Sequence, residues 1–467
     1  MTTTNPSANY FEKVAGQWDD LRSGYFTEAV REAAIQKAYL HPEMSVADVG
    51  AGTGFMSAGL AALVSHVYVM DGAESMLEVA RKNLAQFENL TFQLADGLAL
   101  PQEDASLDAV FANMYLHHCP KPLAAIREMV RMLRPGGRLV ITDMDTHTNE
   151  WLKTEMADLW LGFDRDEIRK WFEKAGLVNV IVDCTGQTCQ AECIEDANTR
   201  AQISIFVATG TKALSVRDSV QSSYAARALG EGGCCGDEGC CTPGLITLDD
   251  LAAGEVSFDS GYTPAETGEI PAEAADFSLG CGNPTAMANL RPGETVLDIG
   301  SGGGIDAFLA AGRVGPSGSV IGIDMTPAML QRARKAAKKA GYTNVVFRHG
   351  YAEKMPVKES SVDVVISNCV INLTEDKGRV FREAFRVLKN GGRLEVSDMV
   401  FGGAVPVSLR YSMNGWSECV SGALPEQEYV DLVAQAGFSD IAVRRSRSAG
   451  QSMGVPVYSV QLSAKKK

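Results

Sequence analysis

Val46-Ala-Asp-Val-Gly-Ala-Gly-Thr-Gly54 is a short apolar run that breaks into glycines at alternate positions, and the same design returns as Val296-Leu-Asp-Ile-Gly-Ser-Gly-Gly-Gly304. Two further blocks repeat in the same order. Leu107-Asp-Ala-Val-Phe-Ala-Asn113 matches Val362-Asp-Val-Val-Ile-Ser-Asn368, and Leu133-Arg-Pro-Gly-Gly-Arg-Leu-Val-Ile-Thr-Asp143 matches Leu388-Lys-Asn-Gly-Gly-Arg-Leu-Glu-Val-Ser-Asp398. Three blocks at similar spacing identify a duplication, since self-similarity of this kind reports repeated architecture. The 467 residues therefore divide into two tandem copies of one fold. We place the boundary at residue 213, giving domains 1–213 and 214–467, because Val216 to Leu229 already reads as a helix leading into the second copy.

Within each copy, apolar runs of strand length alternate with segments of helical period. Ser45 to Val49 and Val64 to Met70 flank a helix, as do Thr295 to Ile299 and Ser319 to Ile323. Such alternation predicts a parallel sheet covered on both faces. Pro327 to Lys339 is a predicted helix, with proline suited to its first turn and Gly341 ending it. Composition narrows function. The net charge of −15, with 45% hydrophobic and 22% charged residues, fits globular domains and excludes a phosphate-neutralising nucleic-acid face, which needs a clustered basic surface. No run reaches a membrane span, and Met1 to Ser7 carries neither the basic start nor the apolar stretch of a signal peptide, so a cytoplasmic location is expected. Eleven cysteines in that reducing setting read as thiols, ligands or catalytic groups.

Both glycine turns directly follow a strand, and the next strand ends on an acid, Asp71 or Asp324. The glycines allow a sharp turn and close ligand approach, and the carboxylate suits the two hydroxyls of a ribose. The spacing differs from Gly-x-Gly-x-x-Gly and from the nucleoside-triphosphate loop. Both copies resemble the class I S-adenosylmethionine methyltransferases. The resemblance implies an α/β fold: two tandem Rossmann-like domains, each a mostly parallel seven-stranded sheet with helices on both faces and the last strand antiparallel. It also implies S-adenosylmethionine as cofactor, held by Asp298, Gly300, Ser301, Gly302, Gly304, Asp324, Met325, Ala352, Glu353 and Asn368 in the second copy. In the first copy the corresponding residues are Asp48, Gly50, Gly52, Gly54, Asp71 and Asp96.

Ser278-Leu-Gly-Cys-Gly-Asn-Pro284, Ser367-Asn-Cys-Val-Ile-Asn-Leu373 and Glu418-Cys-Val-Ser-Gly-Ala-Leu424 are similar to the arsenite methyltransferases. That resemblance implies that Cys281, Cys369 and Cys419 ligate trivalent arsenic beside the sulfonium, and it makes arsenite and methylarsenicals the substrates. Softness is the physical reason for thiols, because thiolates suit a polarisable, thiophilic centre. Taken alone, Cys369 also reads as a small core residue. The resemblance further implies a thiol reductant, thioredoxin or glutathione, as co-substrate, with arsenic detoxification as the role and neither nucleic acid nor membrane as partner.

Cys234-Cys235-Gly-Asp-Glu-Gly-Cys240-Cys241 lies in a Cys-rich leading segment at about 214–290. Three readings stand: arsenic capture or redox cycling, in which Cys240 and Cys241 take part, a zinc site, or a passive linker. Adjacent cysteines fit zinc poorly, whose ligands usually stand two to four residues apart.

The first copy lacks the arsenic thiols, with Met114 in the place of Cys369 and Asp158 near the place of Cys419. Its Leu116-His-His-Cys-Pro120 resembles methyltransferases that act on small organic acceptors, and His117 or His118 there either orients a substrate or caps a strand. Cys184, Cys189 and Cys193 are either a soft-metal cluster or packing. Two alternatives therefore accompany arsenic methylation: a first domain that methylates its own organic or organoarsenical substrate, and a non-catalytic metalloid scavenger.

Overall fold

Strands buried on both faces need apolar residues at nearly every position rather than at alternate ones, and the two glycine-turn strands meet that requirement. Val46, Ala47 and Val49 are buried in one, Val296, Leu297 and Ile299 in the other. In this computed structural model the described residues are 6–192, 199–214, 216–229, 262–268, 270, 271, 274, 282–405, 422–452 and 454–467. The chain separates into two compact units, Met1–Leu214 and Ser215–Lys467.

The first unit contains β1 (Ser45–Val49), β2 (His66–Asp71), β3 (Leu90–Leu94), β4 (Leu107–Asn113), β5 (Leu133–Met144), β6 (Leu177–Glu192) and β7 (Arg200–Lys212). They form one sheet in the order β3-β2-β1-β4-β5-β7-β6. The ladders from β3 to β5 are parallel, whereas β7 runs antiparallel between β5 and β6. The second unit repeats the plan with β8 (Thr295–Ile299), β9 (Ser319–Asp324), β10 (Val345–His349), β11 (Val362–Asn368), β12 (Leu388–Phe401), β14 (Ser439–Ser452) and β15 (Val455–Lys465). Its order is β10-β9-β8-β11-β12-β15-β14, and an eighth strand of two residues, β13 (Leu424–Pro425), pairs with β12. That short strand is an addition to the expected seven.

One predicted strand shifts. Val64 and Ser65 lie in a bend and the strand opens at His66, because the N–H groups of Ser65 and His66 both donate to the carbonyl of Met44 and the ladder with β1 begins only at Ser45 and His66. The strand then ends on Asp71 itself. The predicted helix runs Pro327–Ala340, and Gly341 caps it at φ +72°, the left-handed conformation that glycine adopts without a Cβ penalty.

In each unit the chain winds from the central strand to one side of the sheet and later crosses to the other. The crevice at that switch point, outside the carboxyl ends of β1 and β4 or β8 and β11, is where open α/β sheets hold ligands. Among the described residues, no helix is long and apolar enough to cross a membrane.

Candidate functional site

In the second unit the glycine turn leaves β8 with Gly300, Gly302 and Gly304 at positive φ (+68°, +48° and +98°). Gly300 must remain glycine for space as well as conformation, since a Cβ there would collide with the side chain of Val370. Asp324 at the end of β9 reaches back to this turn. Its Oδ2 accepts from the Gly302 N–H at 3.0 Å and its Oδ1 from the Thr326 N–H at 2.7 Å. Each carboxylate oxygen has two lone pairs, so acceptor capacity remains for a diol. Burial raises the pKa of this group, and the backbone bonds oppose the rise.

One pocket gathers most of the expected residues. Asp298, Gly300, Ser301, Gly302, Asp324, Met325, Ala352, Glu353, Asn368 and Cys369 all line it, while Gly304 caps the following helix, Ile305–Val314. Asp298 is buried, its Oδ2 is without a hydrogen-bond partner, and its pKa is held well above the carboxylate range by burial and by the charges of Asp306 and Asp324. An orphaned buried carboxylate oxygen beside a glycine cradle fits a ligand that brings a cationic donor. S-adenosylmethionine does, through its ammonium group, and the residues present fit that cofactor.

Several lining residues escaped the sequence reading. The Tyr262 hydroxyl donates to Asp306 Oδ2 at 2.7 Å, and Asn368 Nδ2 donates to the Tyr262 hydroxyl at 2.8 Å and to Asp306 at 3.2 Å. Burial pushes Asp306 up to about 6, against these hydrogen bonds. Arg217 forms an ion pair with Glu353 at 3.3 Å and lies over the Tyr351 ring at 5.0 Å. Asp306 stands two positions after Gly304, but nothing in the sequence marks Tyr262 as its partner 44 residues earlier.

Cys369 follows β11 at φ +56°, is 4% exposed and packs with Leu373, Met399, Phe401 and Val405. It is disulfide-bonded, to a partner outside the described residues. Cys281 and Cys419 also lie outside them, as do Cys234, Cys235, Cys240 and Cys241.

The first unit builds the same cradle. Asp71 Oδ2 accepts from the Gly52 N–H at 2.8 Å and Oδ1 from the Ala73 N–H at 2.9 Å. Asp48 accepts from the Ser57 hydroxyl at 2.6 Å, keeps an unpartnered Oδ1, and is pushed to about 7 by burial. Asp96 turns its carboxylate to the Leu98 N–H at 3.0 Å. Tyr115 takes the place of Val370, and a Cβ on Gly50 or Gly97 would collide with it.

At the end of β4 the two units part. Met114, at φ +50°, packs against the buried cluster that includes Phe26, Val30, Met144 and Leu152. His117 Nδ1 lies 2.7 Å from Asp143 Oδ1. Burial alone lowers the His117 pKa, but Asp143, with Asp158 behind it, brings it above the ordinary value. His118 is pushed well below it, first by burial and then by the His117 charge. Asp158 is raised to about 6, chiefly by burial. Cys189 is buried in the apolar cluster of Phe26 and Ile205, Cys184 is exposed, and Cys193 lies outside the described residues.

Comparison with known proteins places both units. Residues 290–437 match a family model described as a methyltransferase domain, and residues 47–141 match a second model of the same description. The arsenite methyltransferase of Halobacterium salinarum is 41% identical over 235 residues, 49% of this chain and 58% of that protein. The arsenite methyltransferase of Aquipseudomonas alcaligenes is 42% identical over 179 residues, 37% of this chain and 51% of its own. The chain thus spans about half the length of the curated relatives it matches. Among solved structures, an arsenic(III) S-adenosylmethionine methyltransferase from Chlamydomonas reinhardtii is 36% identical, covering 43% of this chain and 72% of that one at a TM-score of 0.39.

Proposed function

Because the chain belongs to the class I S-adenosylmethionine-dependent methyltransferases and carries their fold twice, we propose that its second unit methylates trivalent arsenic. The observation that carries this reading is the position of Cys369: a buried cysteine at the end of β11, beside Asn368, in the same pocket as Asp324. The likeness to arsenite methyltransferases supports it.

S-adenosylmethionine supplies an electrophilic methyl group when bound. Asp324 would accept from the ribose hydroxyls with the lone pairs that Gly302 and Thr326 leave unused, and Asp298 would take the ammonium group. Cys369 ligates arsenic together with Cys281 and Cys419, and a tris-thiolate leaves arsenic its lone pair for in-line attack. No strong general base is required, so catalysis is mainly alignment of nucleophile, carbon and leaving sulfur. A thiol reductant, thioredoxin or glutathione, supplies the two electrons that open the disulfide at Cys369 before the thiolate binds arsenic. Arsenic detoxification in the cytoplasm is the role this chemistry serves.

The test uses the full chain with arsenite, a thiol reductant and methyl-labelled S-adenosylmethionine. Labelled methylarsenicals are the expected products. Stoichiometric arsenite binding with no consumption of the methyl donor would instead establish a scavenger.

A further inference from the structure

We propose that the first unit carries a divalent-cation site formed by His117, His118 and Asp158, suited to an ion of borderline softness such as zinc, cobalt(II) or iron(II). One nitrogen or oxygen atom from each side chain falls within 4.8 Å of the others. Two imidazoles and one carboxylate are a recurrent donor set for such ions, which leaves further positions open to water or substrate.

The site is held from two directions. Leu116–His118 forms a single helical turn after β4, which sets the two imidazole rings 4.0 Å apart. Asp143, on β5, accepts from the His117 backbone N–H at 3.3 Å, from the Met144 N–H at 2.8 Å and from His117 Nδ1 at 2.7 Å. With Nδ1 turned to the Asp143 carboxylate, Nε2 is the ring atom that faces away from it and is placed to ligate. A carboxylate behind a histidine is the usual orienting partner of a metal ligand. From the other side, Ala157 adopts φ +57°, a strained conformation for alanine, and the next residue is Asp158. The N–H groups of Leu159 and Trp160 donate to the carbonyl of His117 at 2.9 and 3.1 Å, and Trp160 Nε1 donates to the carbonyl of Cys119 at 2.8 Å. The segment bearing the carboxylate is thus bonded to the turn bearing the histidines.

The spacing at the centre distinguishes a cation site from an ordinary ion pair. Asp158 Oδ1 is 3.8 Å from His117 Nε2 and 3.9 Å from His118 Nδ1, both beyond hydrogen-bonding range. Yet the three side chains are only 5%, 11% and 3% exposed. Buried polar groups stand at the centre with a gap between the carboxylate and each imidazole, room that a cation bonded to all three would close. Across a tetrahedral ion with bonds of about 2.0–2.2 Å, ligand atoms stand roughly 3.4 Å apart, so the two carboxylate–imidazole distances need to close by about half an ångström and the two imidazole nitrogens, within 4.8 Å of each other, by up to about 1.4 Å. His118 gives up its 3.3 Å contact to the Ala157 carbonyl on binding. The second unit does not repeat the set: Asn372 and Leu373 stand at the two histidine positions, and Asn372 Nδ2 is bonded to the Met399 carbonyl at 2.7 Å. Where the second unit has a thiol, the first offers nitrogen and oxygen.

Cobalt(II) added to the chelator-stripped full chain tests this. The eleven cysteines also attract cobalt, but thiolate ligation announces itself by sulfur-to-cobalt charge transfer, whereas a nitrogen and oxygen site gives visible ligand-field absorption without it. We expect one equivalent of the second kind. Cobalt should also raise the melting temperature followed by tryptophan fluorescence, since binding to the native state stabilises it; Trp18, Trp151, Trp160 and Trp171 report this unit. Asp158→Asn and His117→Gln should each weaken that equivalent about a hundredfold, leaving the sulfur band intact. If all bound cobalt in the unmodified chain carries the sulfur band and the melting temperature does not move, the proposal is wrong, whatever the variants do. It is equally wrong if a folded Asp158→Asn chain keeps the ligand-field equivalent at parental affinity.

Discussion

The residues that leave the fourth strand make the instructive comparison: Asn113-Met114-Tyr115-Leu116-His117 in the first unit, Asn368-Cys369-Val370-Ile371-Asn372 in the second. The backbone is the same, with the second residue of each run at φ +50° or +56° and its N–H bonded to the carbonyl of Thr142 or Ser397 at 2.8 Å. The strand-five aspartate caps the following turn in both, at 3.3 Å from His117 N and 3.2 Å from Asn372 N. What differs is the chemistry hung on that frame. A thioether, a phenol and an imidazole replace a thiol, an isopropyl group and an amide. Both units keep the glycine turn and its acid, and the divergence sits at the end of the fourth strand.

The sharpest way to break this comparison is to exchange its thiol. Cys369→Ser should lower arsenite methylation at least about a hundredfold, or roughly 2.7 kcal/mol at 1.36 kcal/mol per decade, because serine is near in shape but too hard and too weakly acidic to replace a thiolate. Met114→Ser should leave it unchanged. Product analysis on the two variants checks this, and an arsenic activity that follows Met114 would place the chemistry in the other unit.

Next in size is the cofactor acid. Asp324→Ala should reduce arsenite methylation by about 10- to 150-fold, from loss of a charged acceptor worth about 1.5–3 kcal/mol, whereas Asp71→Ala should spare it. Steady-state rates at saturating arsenite separate the two, and equal losses would mean that the units act together.

How far all this was legible in the sequence depends on distance along the chain. The strands, the glycine turns and the acids ending β2 and β9 are set by local pattern and backbone conformation, so a short stretch at a time announces them. Tyr262 with Asp306, and His117 with Asp143 and Asp158, are brought together by the fold from segments up to 44 residues apart. No local pattern encodes such a meeting. His117 and His118 stood out as residues, but Asp143 comes beside them only once β5 lies against β4, and Asp158 only through the segment that follows. Cys281 and Cys419 fall outside the described residues, so their place rests on resemblance alone.

The paired strand-one aspartates give a pH test. Burial holds Asp48 at about 7 against an ordinary 3.8. The native state therefore keeps a proton that the unfolded chain releases, and this contribution to stability is complete below about pH 4 and lost as pH rises through 7. Asp48→Asn removes the titration. Its tryptophan-monitored melting temperature should fall less between pH 5 and pH 8 than that of the parent, by about 5–10 °C, from roughly 2.6 kcal/mol of linkage over that interval. Parallel curves would show that Asp48 ionises in the folded unit as readily as in water.

The smallest effect compares the middle glycines of the two turns. Gly302, at φ +48°, has nothing within 4 Å of the position a Cβ would take, whereas at Gly52, at φ +55°, the same position is 3.6 Å from Trp18 Nε1. Alanine at either site is strained by about 1–2 kcal/mol in the left-handed region, so each variant should melt about 2–8 °C lower in its own unit. Ligand binding separates them. Gly302 lines the pocket and donates its N–H to Asp324, so the open space beside it is where the proposed cofactor would lie. Gly302→Ala should therefore weaken S-adenosylmethionine binding by the second unit about tenfold, close to 1.4 kcal/mol, beyond the strain it shares with Gly52→Ala. Calorimetric titration of each variant with the cofactor decides the matter. Undiminished affinity in Gly302→Ala would mean that the glycine serves the turn alone and that the cofactor lies away from it.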